Sequence, residues 1–207
     1  MRVKMLIYNN NSNHALIVLH EIYGVNKHVR TVCESLSIYD IDVICPNLLG
    51  KNITFSYSQE KMAYQNFIEN IGFQNALNTV KELVLNIKDN YDKIFLIGYS
   101  VGATIAWLCS ELDFVDGIVG YYGSRIRNYT SISPRCKVKL FFPQEEKSFN
   151  VDGLCSTLEN KNIELHKFDG LHGFSDPYSP NFHKASAEEA HGEMITFFMG
   201  ERKYFIK

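Results

Sequence analysis

Apolar and polar residues alternate along this chain in short blocks whose period switches repeatedly between strand-like runs and helix-like stripes. Apolar runs of strand length fall at 3–8, 15–19, 42–45, 93–97, 117–122, 137–142 and 163–168. Helical spacing occupies 28–38, 59–88, 103–109, 151–158 and 184–199, with a loop expected over 123–135. Within 59–88, Phe67, Ile71, Leu77, Val80, Leu83 and Val84 share one stripe, and Gly72 marks a break. The polar stretch 9–14 predicts a hairpin joining the first two strands, and Pro46 a stop after the third. Strands and helices in alternation predict an α/β fold with a mostly parallel central sheet and helices on both faces. No repeat, low-complexity tract or linker divides the chain, so 1–207 reads as a single domain. Reactive residues in such sheets stand in loops beyond the carboxyl ends of the strands.

One of those strand ends carries Gly98-Tyr99-Ser100-Val101-Gly102. A G-x-S-x-G between a buried strand and a helix is the pattern of a nucleophile elbow. The turn is tight enough to need small residues two before and two after the serine. It lifts the hydroxyl out of the sheet and aims the next backbone N–H into the same space.

A serine needs a base to take its proton and an acid to hold that base in the right tautomer. On this fold the chain order is nucleophile, acid, histidine. Of seven histidines, His166, His172, His183 and His191 follow Ser100. Only His172 stands on a glycine-flanked loop just past the last strand, which makes it the expected base. The loop after 117–122 holds no Asp or Glu before Cys136, whereas the strand 137–142 leads into Pro143-Gln144-Glu145-Glu146. Glu146 is therefore the expected acid, with Glu145 in reserve. Asp152 lies too far into the next helix, and Asp169, three residues from His172, reads as loop support. The N–H of Val101 is one expected oxyanion donor, and the loop after 15–19, His20-Glu21-Ile22-Tyr23-Gly24-Val25-Asn26, should supply the other.

That loop, the elbow, and Gly170-Leu171-His172-Gly173-Phe174 resemble, in order and spacing, the three hallmark segments of the dienelactone hydrolase family. The similarity spans essentially the whole chain, including Val119-Gly120-Tyr121-Tyr122-Gly123. It implies a small α/β-hydrolase fold with no cap domain, and Ile22 as the second backbone oxyanion donor. It also sets Glu21 in the place of a buried glutamate that interacts with the resting nucleophile. Three departures stand out: serine replaces the cysteine nucleophile of the founding enzymes, glutamate replaces the aspartate acid, and the carboxylate-binding arginine after the catalytic histidine is replaced by Ser175-Asp176. The machinery is retained, but a dienelactone substrate is disfavoured. Glu21, Tyr23, Tyr99, Tyr121 and Phe174 are expected to wall the pocket.

Composition limits the partners more than it names them. A net charge of −2 and scattered basic residues, the tightest cluster being Arg125 and Arg127, give no footprint for nucleic acid. No apolar run approaches a membrane span, and the apolar start is too short for a signal peptide. Five cysteines (Cys33, Cys45, Cys109, Cys136 and Cys155) without metal-ligand or C-x-x-C spacing favour a reducing, cytoplasmic setting and no metal site. The expectation is a cofactor-free serine hydrolase acting on a small ester, lactone or thioester, as a monomer or a homodimer. A short-peptide peptidase and a catalytically silent binding protein on the same fold are the rival readings.

Overall fold

The computed structural model describes residues 5–50, 53–161 and 163–200. β2 (His14–Leu19) and β4 (Lys93–Tyr99) are apolar on both faces, and they pair in parallel at the centre of the sheet. β3 (Asp42–Pro46) flanks β2 in parallel, and β5 (Gly117–Tyr121), β6 (Lys137–Pro143) and β7 (Glu164–Phe168) continue in parallel from β4. β1 (Met5–Tyr8) closes the other edge, antiparallel to β3, so the order is β1-β3-β2-β4-β5-β6-β7. The first two residues of the strand expected at 3–8 lie outside the described residues.

The expected hairpin between β1 and β2 is not formed, because β3 lies between them. The reason is burial. β2 is covered on both faces and needs a strand on each side, whereas β1 alternates exposed and half-buried positions as an edge strand does. The polar connection has a different task. Asn10 donates its backbone N–H to the Asp42 carboxylate and its side-chain amide to the carbonyls of Ser37, Tyr39 and Ile41. It thereby pins the first loop to the start of β3.

Alternation along the strands divides the core. Ala15, Ile17, Leu19, Leu96, Ile118 and Leu140 face one side, under α2 (Glu60–Asn70), α3 (Gly72–Ile87), α4 (Val101–Cys109) and α5 (Val151–Leu158). Leu16, Val18, Ile97, Val119 and Phe141 face the other, under α1 (Lys27–Leu36) and α6 (Lys184–Met199). Gly72, at φ +70°, makes the break between α2 and α3, and Phe67, Val80 and Val84 of the expected stripe are fully buried. Pro46 ends β3 as its last residue.

The sheet, its helices on both faces and the elbow after β4 are those of an α/β-hydrolase fold. Among the described residues, no helix is long and apolar enough to cross a membrane.

Candidate active site

Ser100 stands between β4 and α4 at φ 53°, ψ −112°, a conformation costly to any residue with a side chain. Its surroundings hold it there. The Ser100 N–H donates to the Tyr121 carbonyl at 2.9 Å, and its carbonyl accepts from the Thr104 N–H at 3.2 Å. The flanking glycines are required by close approach: a Cβ on Gly98 would lie 2.2 Å from the Gly102 carbonyl oxygen, and one on Gly102 2.2 Å from the Leu19 carbonyl oxygen. Val101 opens α4, and the first N–H groups of a helix have no partner within it. Val101 and Ile22 both line the cavity that Ser100 lines.

His172 Nε2 lies 2.9 Å from Ser100 Oγ, and His172 Nδ1 lies 2.6 Å from Glu146 Oε1. Only 6% of the Glu146 side chain is exposed, whereas Glu145 faces solvent. Asp152 is engaged elsewhere, with Lys167. The loop bearing His172 turns at Gly170 (φ +118°) and Gly173 (φ +87°), and Asn181 donates its side-chain amide to the His172 carbonyl at 2.8 Å. Tyr122 sets its ring 4.9 Å from the imidazole, centroid to centroid. Burial works against a charged imidazole, but the hydrogen bond and charge of Glu146, reinforced by Glu21 and Glu60, outweigh it and raise the His172 pKa above its usual value.

The loop after β2 has an anchor that its sequence did not announce. His20 is fully buried, its Nδ1 2.6 Å from the Glu21 carbonyl and its Nε2 2.8 Å from the Leu48 N–H. These partners assign the proton to Nδ1, which donates, while Nε2 accepts. Burial pushes the ring down to about 4, with the Glu21 hydrogen bond opposing, so it is neutral and keeps both contacts near pH 7. Gly24, at φ +80°, completes the turn, where a Cβ would come within 2.9 Å of the Ile53 carbonyl oxygen.

The cavity over Ser100 measures about 450 Å³. Of the residues expected to wall it, Glu21 and Tyr23 line the cavity, and Tyr99, Tyr121 and Phe174 do not. Those three belong to the core on the α1/α6 side, where Tyr99 and Tyr121 stack at 4.8 Å and the Tyr121 hydroxyl donates to the Ala190 carbonyl. Strand alternation explains this, since Tyr99 and Tyr121 point to the opposite face from the elbow. With Phe174 and Tyr122 they form an aromatic bed beneath the His172 loop. The polar residues lining the cavity come partly from elsewhere: Tyr57, Tyr64, Arg125, Arg127, Lys147 and Asp176. Arg125 donates to the Tyr64 hydroxyl and Arg127 to the Ser124 carbonyl. Glu21 is 4% exposed, and burial, followed by the charge of Asp176, pushes its pKa up to about 7 against the opposing pull of His172 and a Tyr122 hydrogen bond.

Fold and site together define a hydrolase of the α/β-hydrolase class. Residues 3–201 match the dienelactone hydrolase family. The chain is 43% identical over 175 residues to the uncharacterised YczH protein of Bacillus subtilis, covering 82% of this chain and 85% of that one. It is 24% identical over 195 residues to carboxymethylenebutenolidase 1 of Cupriavidus pinatubonensis, covering 87% and 83%. In three dimensions it resembles a dienelactone hydrolase-like promiscuous phosphotriesterase from metagenomic libraries, with a TM-score of 0.71 at 13% identity over 96% of this chain and 97% of the other, a likeness of fold alone. This chain belongs to the dienelactone hydrolase family.

Proposed function

We propose that this protein is a serine hydrolase that cleaves a small carboxylic ester, lactone or thioester through an acyl-enzyme. The observation that carries the reading is the continuous hydrogen-bonded line from Ser100 Oγ through the His172 ring to Glu146. His172 Nε2 takes the serine proton as Oγ adds to the substrate carbonyl. The N–H groups of Val101 and Ile22 receive the oxyanion, where fixed donors lower the barrier most. The imidazolium, held by Glu146, protonates the leaving group as the tetrahedral adduct collapses. Water, deprotonated by the same nitrogen, then releases the acid and restores Ser100. These steps use protein groups and water. A cavity of about 450 Å³ suits a small substrate. The buried Asp176 in the cavity wall disfavours an anionic group placed against it.

Glu146→Gln tests the reading, because glutamine leaves the shape nearly intact but cannot stabilise the imidazolium. Hydrolysis of p-nitrophenyl acetate is expected to fall in kcat by about 10²–10⁴-fold. Unchanged turnover would contradict the assignment. Catalysis needs the neutral imidazole, so activity falls as pH drops through the folded-state pKa of His172. That pKa is raised, which moves the acid limb of kcat/KM in the wild type to higher pH than an ordinary histidine would set. In Glu146→Gln the limb is expected to move to lower pH, and a limb that stays in place would show that Glu146 does not face the base.

A further inference from the structure

Beside the catalytic line lies a second group of ligating side chains that the proposed mechanism does not use as a set. Glu21 from the oxyanion loop, His28 from α1 and Asp176 from the segment after the His172 loop are all buried. Each offers a ligand atom within 4.8 Å of the other two. His28 Nδ1 has no hydrogen-bond partner and lies 3.6 Å from Asp176 Oδ2, too far for a hydrogen bond. The Asp176 carboxylate accepts from the Tyr57 hydroxyl and the Tyr178 N–H. Among the described residues, neither Glu21 nor Asp176 forms an ion pair with a lysine or arginine. Two carboxylates set together out of water are costly unless a positive charge joins them.

We infer that Glu21, His28 and Asp176 form a binding site for one divalent first-row transition-metal ion. A triangle with sides no longer than 4.8 Å contains a point within about 2.8 Å of every corner, so a contraction of several tenths of an ångström reaches the ~2.0–2.2 Å bonds of a zinc-type site. One imidazole nitrogen and two carboxylate oxygens are a mixed donor set that favours Zn²⁺ or Mn²⁺ over Mg²⁺ or Ca²⁺, which prefer oxygen alone. His28 Nδ1 is buried and has no hydrogen-bond partner, so it is open to an ion placed between the two carboxylates. The ion's two charges balance the two carboxylates. Glu21 and Asp176 also line the cavity, which supplies an entry path and room for water in the remaining coordination positions. The site shares a wall with Ser100 but does not depend on the serine mechanism.

Calorimetric titration and native mass spectrometry of EDTA-treated protein with ZnCl₂, MnCl₂ and MgCl₂ test this. One Zn²⁺ or Mn²⁺ per chain is expected, with Mg²⁺ much weaker. Loss of a ligand in His28→Gln or Asp176→Asn is expected to weaken binding by about 100-fold or more, and Ser100→Ala should bind as the wild type does. Circular dichroism checks that each variant is folded. Should both unfold, visible spectroscopy of Co²⁺-loaded wild type decides, since a nitrogen- and oxygen-ligated site gives ligand-field bands that a hydrated surface ion lacks. Absence of saturable one-to-one binding, binding unchanged in a folded ligand variant, or a Co²⁺ spectrum like that of the aqueous ion would each overturn the site.

Discussion

Replacing Ser100 by alanine, or His172 by alanine, is expected to lower kcat on p-nitrophenyl acetate by about 10⁴–10⁶-fold. Either change removes the same step, since an alcohol without its base is a poor nucleophile and a base without its alcohol has no proton to take. The double variant should therefore fall no further than about tenfold below the weaker single one. KM should change little, because neither side chain supplies the bulk of the cavity wall. The fold should persist in Ser100→Ala, because alanine inherits the same φ of 53° and loses only the hydroxyl. Stopped-assay kinetics with matched thermal melts check both halves. Substantial turnover in a folded Ser100→Ala protein would assign the chemistry to another residue.

The second large effect is on stability. Gly102→Ala is expected to destabilise the protein by roughly 3–5 kcal/mol and to lower Tm by about 10 °C or more. The added Cβ would meet the Leu19 carbonyl oxygen at 2.2 Å and the His20 carbonyl oxygen at 2.8 Å. Both obstacles are backbone at the end of the central strand β2, so no side-chain rotation relieves them. Relief would have to come from moving α4 away from the oxyanion loop, which separates Val101 from Ile22. Activity should therefore fall together with stability. Gly192→Ala is the control: it lies within α6 with nothing within 4 Å of its Cβ, and alanine there should be neutral or stabilise by up to about 1 kcal/mol. Equal melting temperatures for Gly102→Ala and the wild type would refute the close approach of elbow and oxyanion loop.

Much of the candidate site was legible because its spacing is local. The glycines around Ser100 declare a turn that only small residues fit, and the turn declares where the sheet ends. Chain order led to Glu146 as one of two adjacent acids after β6, and to His172 as the glycine-flanked histidine after β7. The parallel sheet followed from apolar runs buried on both faces. The position of β1 did not, because an edge strand is specified by what its neighbours leave unpaired and not by its own residues. The aromatic residues misled for a similar reason. Tyr99, Tyr121 and Phe174 flank the site along the chain, yet strand alternation turns the two tyrosines to the far side of the sheet, where Phe174 joins them as support for the histidine loop. His20 lay within a recognised segment, but its role depends on the Leu48 N–H, 28 residues away. The grouping of Glu21, His28 and Asp176 brings the segment after the His172 loop against residues 21–28 and leaves no periodic trace in the sequence. Arg125 and Arg127 read as a minor basic cluster, and only the fold brings them to the cavity rim.

The most direct test of the proposed chemistry is labelling of the folded protein with a fluorophosphonate, followed by intact-mass measurement and peptide mapping. One adduct per chain is expected, on Ser100, formed quickly in the wild type, much more slowly in Glu146→Gln and not at all in Ser100→Ala. No adduct on the folded wild type while a control serine hydrolase is labelled, or an adduct that persists in Ser100→Ala, would contradict it.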